Sequence, residues 1–426
     1  MSKPVFIQDS FNSVSLHNPS KEIMEIYKDI EDTKSIDSRG YEINRPLFSH
    51  SDMSFTFGTT PTPLVDYKIK NEFIYPVTVF HDSKIWSQHI DKLPNYVLNS
   101  TRNNKCKIIF DDTLEGDTLF RFIDILYSRI SELNLPPKNI YYITNNLYAE
   151  KSHDEYCVEK NILEKINVIS FMWNVFDIQR LKKSNLLPTT VNIKDEIKYK
   201  EDNLDSIKTF LKVNRTDRPE RNIFMLYINY HKLYSKFNIS FPNLPAYEYP
   251  EFFPELTTRK NIDELKEKIP FDIDITDKTN HGEPGTGINQ FNADLPFLPI
   301  HYKNTFISTV MCAFPHTPNA CHLHSSTFNP MYCGHPIIQF GPLGHLNELK
   351  KRGFKTFDKW WDESYDSIEE PWLRLEKVLG IVKNLAKLDN KELLRMYKSM
   401  ESVLQHNSDL IQNYDVDFNL KSRVEV

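Results

Sequence analysis

Two groups of side chains in this 426-residue chain have types and spacings suited to chemistry. Asn214, Arg215, Arg218 and Arg221 follow an apolar run at 207–213 and enter an amphipathic segment. Guanidinium groups and the free N–H groups of a helix start bind phosphate oxygens, so this placement suits a diphosphate. It equally describes a solvated helix start with arginines on its outer face. The second group is Asp111, Asp112 and Glu115, just past the apolar run 107–110. A carboxylate there, or His81 after the run 73–80, could take the proton of an attacking hydroxyl. We single out Glu115, Asp112 and His81 as candidate bases. The same acids would also sit well beside the N-terminus of a helix opening at Asp117.

A third cluster invites a metal reading. Cys312, His316, Cys321, His322, His324, Cys333 and His335 fall within 24 residues, and thiolate and imidazole are the usual zinc ligands. No pair has the C-x₂-C spacing of structural zinc sites. Our expectation is therefore no metal, with Cys333 buried in a helix and the histidines lining a polar cleft.

These residues need elements to position them. Apolar runs at 73–80, 107–110, 140–143 and 168–172 read as strands. Leu119, Phe122, Ile123, Leu126, Ile130 and Leu133 make a 3.6-residue stripe between them. Further on, 207–213, 306–312 and 336–340 read as strands, the last closing at Gly341-Pro342-Leu343-Gly344. Strands alternating with helices indicate an α/β fold with parallel sheets, whose ligands bind beyond the carboxyl ends of the strands. Leu375, Val378, Leu379, Val382 and Leu385 form a late helical stripe, and Asp389 with Glu392 a capping box. We expect an irregular N-terminal arm over 1–70, a first domain over 71–200 and a second over 201–426. The charged stretch 184–206 reads as a linker, and the proline-rich stretch 241–300 as an excursion within the second domain.

Bulk composition narrows the classes. A net charge of −6 does not announce a nucleic-acid binder, although a local basic groove is compatible with it. No apolar run reaches membrane-spanning length. Five scattered cysteines suit a reducing compartment, so we expect a cytoplasmic protein. With 11 glycines, and neither G-x-x-x-x-G-K-[ST] nor a strand before Gly282-Glu283-Pro284-Gly285-Thr286-Gly287, no glycine-rich phosphate cradle is expected.

The segment GHPIIQFGPLGHLNELKKRGFKTFDKWWDESYD, from Gly334 to Asp366, resembles a family of glycosyltransferase-like proteins of phages and marine bacteria. That family has a GHPF-type strand, a GPPGTL-type turn and a GFKTFDxxxDESYD tail. KTFLKVNRTDRPERNIFMLYIN, from Lys208 to Asn229, is similar to its N-R-x-x-R-P-x-R block. Together the matches span most of 205–410.

The resemblance implies two facing Rossmann-like domains of the GT-B type, closed by C-terminal helices. It implies a glycosyltransferase (hexosyl- or pentosyltransferase) that takes a nucleotide sugar, UDP-sugar first among candidates, with no cofactor required. The donor would sit on the second domain and the acceptor on the first. Asn214, Arg215 and Arg221 inherit a donor role, as do the residues aligned with the family's Thr-Glu-Lys-Thr-Phe-Lys-Pro segment: His324, Ser325, Ser326 and Thr327. Gly341 and Gly344 form the turn beside them. Here Ser325 and Ser326 stand where the family has Glu and Lys, and Cys312 replaces an upstream Glu. Either the donor differs, or His322 and His324 supply the lost contacts, or the site is inactive. Phage relatives imply one acceptor, a 5-hydroxymethylated pyrimidine in DNA, met by Lys84, Lys92, Arg102, Lys105 and Lys107 in a host cytoplasm. The alternatives are surface glycans and small metabolites as acceptors, or a non-catalytic binding protein. Glu115-Gly116 echoes an acidic-Gly step of the family. The tail Asp362-Glu363-Ser364-Tyr365-Asp366 caps a helix with a solvated face, or orders the donor loop or the interdomain hinge, and Trp360, Trp361 and Trp372 read as packing.

Overall fold

A computed structural model describes residues 7–8, 62–63, 72–78, 90, 93, 95–112, 123–172, 174–175, 178–179, 191–214, 218–241, 244, 251–271, 299–312, 315–317 and 319–414. His81, Glu115, Arg215, Lys84, Lys92, most of the expected arm and the Gly282–Gly287 loop lie outside these residues, as do Asp117, Leu119 and Phe122 of the expected helix.

The chain divides into two units. The first comprises Met1–Trp173, Asn319–His322 and Asp415–Val426; the second comprises Asn174–Pro318 and Leu323–Tyr414.

In the first unit, β1 (Ile7–Gln8) pairs with β2 (Thr62–Pro63). Strands β3 (Phe73–Thr78), β4 (Cys106–Asp112), β5 (Ile140–Thr144) and β6 (Asn167–Ser170) form one parallel sheet in that order. The register sets Phe73 against Cys106, Ile108 against Ile140 and Tyr141 against Asn167. Every residue of β5 is buried, as expected of a parallel strand covered on both faces. Helices α1 (Asn95–Arg102), α2 (Ile123–Glu132) and α3 (Ala149–Glu159) join the strands. Ile123, Leu126 and Ile130 of the expected stripe are buried against Ile108, Phe110 and Tyr142.

The second unit begins with a correction. The expected linker holds α4 (Ile193–Asp202), whose cap Asn192 accepts from the Lys194 N–H. Its charged face is solvated, but Lys200 is fully buried and donates to the carbonyls of Tyr302, Lys303 and Thr305 at 2.7–2.8 Å. A buried lysine with three carbonyl acceptors ties a helix to its neighbour, which a flexible connection does not do. Then come β7 (Lys208–Val213), α5 (Pro219–Tyr230), β8 (Phe237–Ser240), α6 (Arg259–Lys266), α7 (Pro299–Lys303), β9 (Thr305–Met311), α8 (Ser325–Tyr332), β10 (Ile337–Phe340) and α9 (His345–Lys351). Pro219 opens α5, where its missing N–H costs nothing and its fixed φ suits the helix. The sheet order is β10-β9-β7-β8, all parallel. Phe210, Phe224 and Phe237 pack between β7, α5 and β8.

Helices α10 (Pro371–Leu385), α11 (Asn390–Ser399) and α12 (Glu401–Asn413) complete the unit. The stripe Leu375, Val378, Leu379, Val382 and Leu385 is buried, with α10 against β10, and the Asp389–Glu392 capping box is formed. The expected α/β fold with two Rossmann-like parallel sheets and C-terminal helices is thus present.

Candidate functional site

The strand order of the second sheet locates a site. From β7 the chain passes to β8 on one side, then returns to β9 on the other. The carboxyl ends of β7 and β9 therefore flank a topological switch point, where adjacent loops diverge and leave a crevice for ligand.

Polar side chains gather at that end. Lys212, the penultimate residue of β7, is fully buried with its Nζ 4.9 Å from the Phe224 ring centroid. Among the described residues its ammonium nitrogen has no hydrogen-bond partner. Burial pushes the Lys212 amine well below its ordinary value, and the Arg221 charge adds to that. Asn214, buried just past β7, leaves both side-chain amide atoms unpartnered among the described residues while its backbone N–H holds Ser240 O at 2.9 Å. Glu220, in the first turn of α5, is buried with Oε1 unpartnered among the described residues, and its Oε2 lies 4.0 Å from His316 Nε2 in the loop after β9. Arg221 donates to Met311 O at 3.2 Å, bridging α5 to the end of β9. Each unpaired buried polar group costs about 1–3 kcal/mol. A concentration of them at one strand end is what a polar ligand would relieve.

The loops after β9 and β10 complete the rim. His324 caps α8: its Nδ1 accepts from the Ser326 N–H at 3.2 Å and from Ser325 Oγ at 3.0 Å. Thr327 is buried 3.9 Å from Cys312 Sγ, which also receives Gln339 Nε2 at 2.9 Å; burial pushes the Cys312 thiol up to about 11. The turn beyond β10 depends on two glycines. Gly344 has φ 75°, the left-handed region that other residues avoid. A Cβ on Gly341 would stand 3.0 Å from His345 Nδ1.

Two buried charges hold that turn. Asp366 accepts from the N–H groups of Leu346 and Asn347 at 3.1 Å each. Arg374, 1% exposed, donates to Gly341 O at 3.1 Å, to Pro315 O at 2.7 Å and to Ile368 O. The acidic tail is therefore not a solvated face. Asp366 fastens the start of α9, and Glu363 accepts the Phe357 N–H at 2.8 Å. Trp361 is buried on Phe357, whereas the Trp372 ring lies tilted against His316, centroids 4.5 Å apart, at the rim of the switch point.

Of the donor candidates, Asn214, Arg221, His324, Ser325, Ser326, Thr327, Gly341 and Gly344 all lie on the loops and helix starts that follow the carboxyl ends of this one sheet. Sequence reasoning missed Lys212, Glu220 and Gln339. The signal was present for the first: a lysine inside the apolar strand Phe210-Leu211-Lys212-Val213 must be buried or bent outward.

In the first unit, Asp112 ends β4 and is buried. Its Oδ2 accepts from Tyr142 Oη at 2.7 Å and Thr144 Oγ1 at 3.2 Å, two hydroxyls of the adjoining strand. His322 belongs to this unit, not with His324: it bridges Asn146, and its Nε2 receives Asn145 Nδ2 at 2.8 Å. Of the basic residues, Arg102 is committed to Leu133 O and Asn99 Oδ1, Lys107 lies 5.7 Å from the Tyr141 ring centroid, and Lys105 is exposed.

The zinc reading gains no geometry. Among the described residues no group of three or more His, Cys, Asp and Glu is placed to hold a metal. His335 is occupied, its Nε2 donating to Thr305 O and its Nδ1 accepting from Ser308 Oγ, both at 2.8 Å. Among the same residues no helix is long and apolar enough to cross a membrane.

No family model and no curated protein matches the chain. Solved structures that overlap it include the E. coli trehalose-6-phosphate protein bound with UDP-2-fluoro glucose, at 11% identity, 84% of this chain, 74% of that chain and a TM-score of 0.40. The N-terminal domain of Candida albicans trehalose-6-phosphate phosphatase overlaps at 10% identity, 84% and 72% coverage and a TM-score of 0.41. A UDP-glucosyltransferase from Polygonum tinctorium overlaps at 11% identity, 89% of both chains and a TM-score of 0.34. Overlaps this loose carry no function; the class defined by the chain itself is a two-sheet parallel α/β protein with a polar switch-point site.

Proposed function

We propose that the protein is a glycosyltransferase of the GT-B type that takes a nucleotide-sugar donor at the switch point of its second unit and passes the sugar to a hydroxyl acceptor. The observation that supports this most is the pairing of Lys212 with Asn214, buried at the end of β7 with their polar atoms unpartnered among the described residues. Lys212 and Arg221 supply positive charge for a diphosphate, and the N-terminus of α5 adds its dipole. With protein cations in that role the mechanism invokes no metal. Arg215, His324 and Ser326 complete the donor set suggested by the family resemblance, and UDP-sugars are the first donors to test. On the first unit, Glu115, Asp112 or His81 is the base for the acceptor hydroxyl. Asp112 takes that role by releasing one of its two hydroxyl partners. The acceptor that the phage resemblance suggests is a 5-hydroxymethylated pyrimidine in DNA, turned out of the helix for attack.

The test is thermal unfolding against nucleoside diphosphates and sugar nucleotides. A ligand at 100 times its Kd adds about 2.7 kcal/mol. A rise with one base establishes the donor and opens an acceptor screen beginning with hydroxymethylated DNA. No rise with any overturns the reading. A rise without transfer or donor hydrolysis leaves a binding protein, the second reading, which Ser325 and Ser326 in place of Glu and Lys favour.

A further inference from the structure

The cations at the switch point account for phosphate, but one residue there does not. Glu220 is 2% exposed, and its Oε1 has no partner among the described residues. It sits in the first turn of α5, after β7, with His316 of the post-β9 loop 4.0 Å away, so its carboxylate lies between the two loops that diverge. Its charge is felt by both Lys212 and His316. In a site for phosphate alone an unpaired carboxylate would be harmful, since it repels the anion at short range. A buried carboxylate with empty lone pairs takes hydrogen-bond donors, and the neutral donors of a sugar nucleotide are its hydroxyls.

We infer that Glu220 is the hydroxyl-binding and specificity-determining residue of the site, taking the ribose diol of a ribonucleotide. This rests on the donor reading above. The arrangement separates the two halves of the ligand: Lys212 and Arg221 for the diphosphate, Glu220 for the sugar next to it. It makes the protein selective for ribonucleotides over deoxyribonucleotides.

The experiment is calorimetric titration of the full chain and of Glu220→Gln with three probes: UDP, its dideoxyribose analogue and inorganic pyrophosphate. Where thermal shift selects another base, that nucleoside diphosphate and its dideoxy analogue replace UDP. The wild type is expected to prefer the ribonucleotide roughly 10- to 100-fold, the worth of charge-assisted hydrogen bonds. Glu220→Gln is expected to lose most of that preference while pyrophosphate binds it at least as well, which also shows that the variant is folded. Equal affinity of the wild type for both nucleotides overturns the inference, as does a preference that survives in Glu220→Gln. Binding of pyrophosphate with no nucleotide bound more tightly overturns it too, while leaving an anion site. Binding of none of the three overturns the donor reading itself.

Discussion

His345 Nδ1 lies 3.0 Å from Asp366 Oδ1, joining the first residue of α9 to the acidic segment that follows it. The same carboxylate takes two backbone N–H groups, and Gly344 N–H donates to Asp366 O at 2.9 Å. Burial opposes ionisation of Asp366, but the His345 hydrogen bond, its charge and the two N–H donors outweigh it and hold the carboxyl below its ordinary value. A group with a depressed folded pKa adds stability above its unfolded pKa and loses it as pH falls through the folded one. Asp366→Asn should cost about 1–3 kcal/mol at neutral pH. The gap to wild type should shrink as pH drops below about 4. Urea melts across pH 3–7 check this, and a gap constant across that range would sink it.

Gly341 is the other side of the same contact. Adding a Cβ places it 3.0–3.2 Å from three atoms of the His345 ring, and that ring is fully buried, with little room to retreat. Gly341→Ala should cost about 1–3 kcal/mol and weaken nucleotide binding through the displaced turn. A variant melting like wild type would mean that the ring moves freely.

Much of this was legible beforehand, and the reasons are physical. Parallel strands buried on both faces show as apolar runs, so β4, β5, β7, β9 and β10 stood out, as did the α10 stripe and the Asp389–Glu392 box. The loops proposed here for the donor stood out because they follow such strands. What depends on distant pairing was hidden. Asp112 was a free acid in the sequence, and its partners Tyr142 and Thr144 lie thirty residues on. His322 and His324 are two residues apart yet belong to different units. The charged run at 194–202 concealed a helix because Lys200 finds its carbonyl acceptors a hundred residues away. Four-residue β8 was too short to show a pattern.

Arg374 tests how the site is held rather than what it binds. Its guanidinium serves the carbonyls of Gly341, Pro315 and Ile368, which come from three separate segments, and it lies 5.6 Å from the Phe340 ring centroid. Arg374→Met preserves the aliphatic packing but leaves buried carbonyls without donors, at a cost of about 3–5 kcal/mol. Arg374→Lys should rescue little, because one ammonium cannot reproduce the planar fork. Thermal melts of both variants check this; full rescue by lysine would show that charge alone matters.

Lys212 should behave in the opposite sense. Burial holds its amine well below the ordinary value of 10.5, and the neighbouring Arg221 deepens the shift. The unfolded chain then binds more protons than the folded one between the two pKa values, so stability rises with pH across that window. The residue is therefore a cost to the unliganded fold, largest below its folded pKa and gone above about 10.4. Lys212→Met keeps the length of the side chain, removes the buried amine and should stabilise the free protein by on the order of 1–2 kcal/mol at neutral pH. It should also abolish the pyrophosphate-induced rise in Tm, because the site loses its most deeply buried cation. In the wild type, an anion bound beside Lys212 should raise the pKa of its amine, so binding takes up protons at pH values between the free and the bound pKa. Titrations in buffers of different ionisation enthalpy read that uptake directly. A destabilised Lys212→Met that still binds pyrophosphate would show that the lysine is structural and that the anion site lies elsewhere.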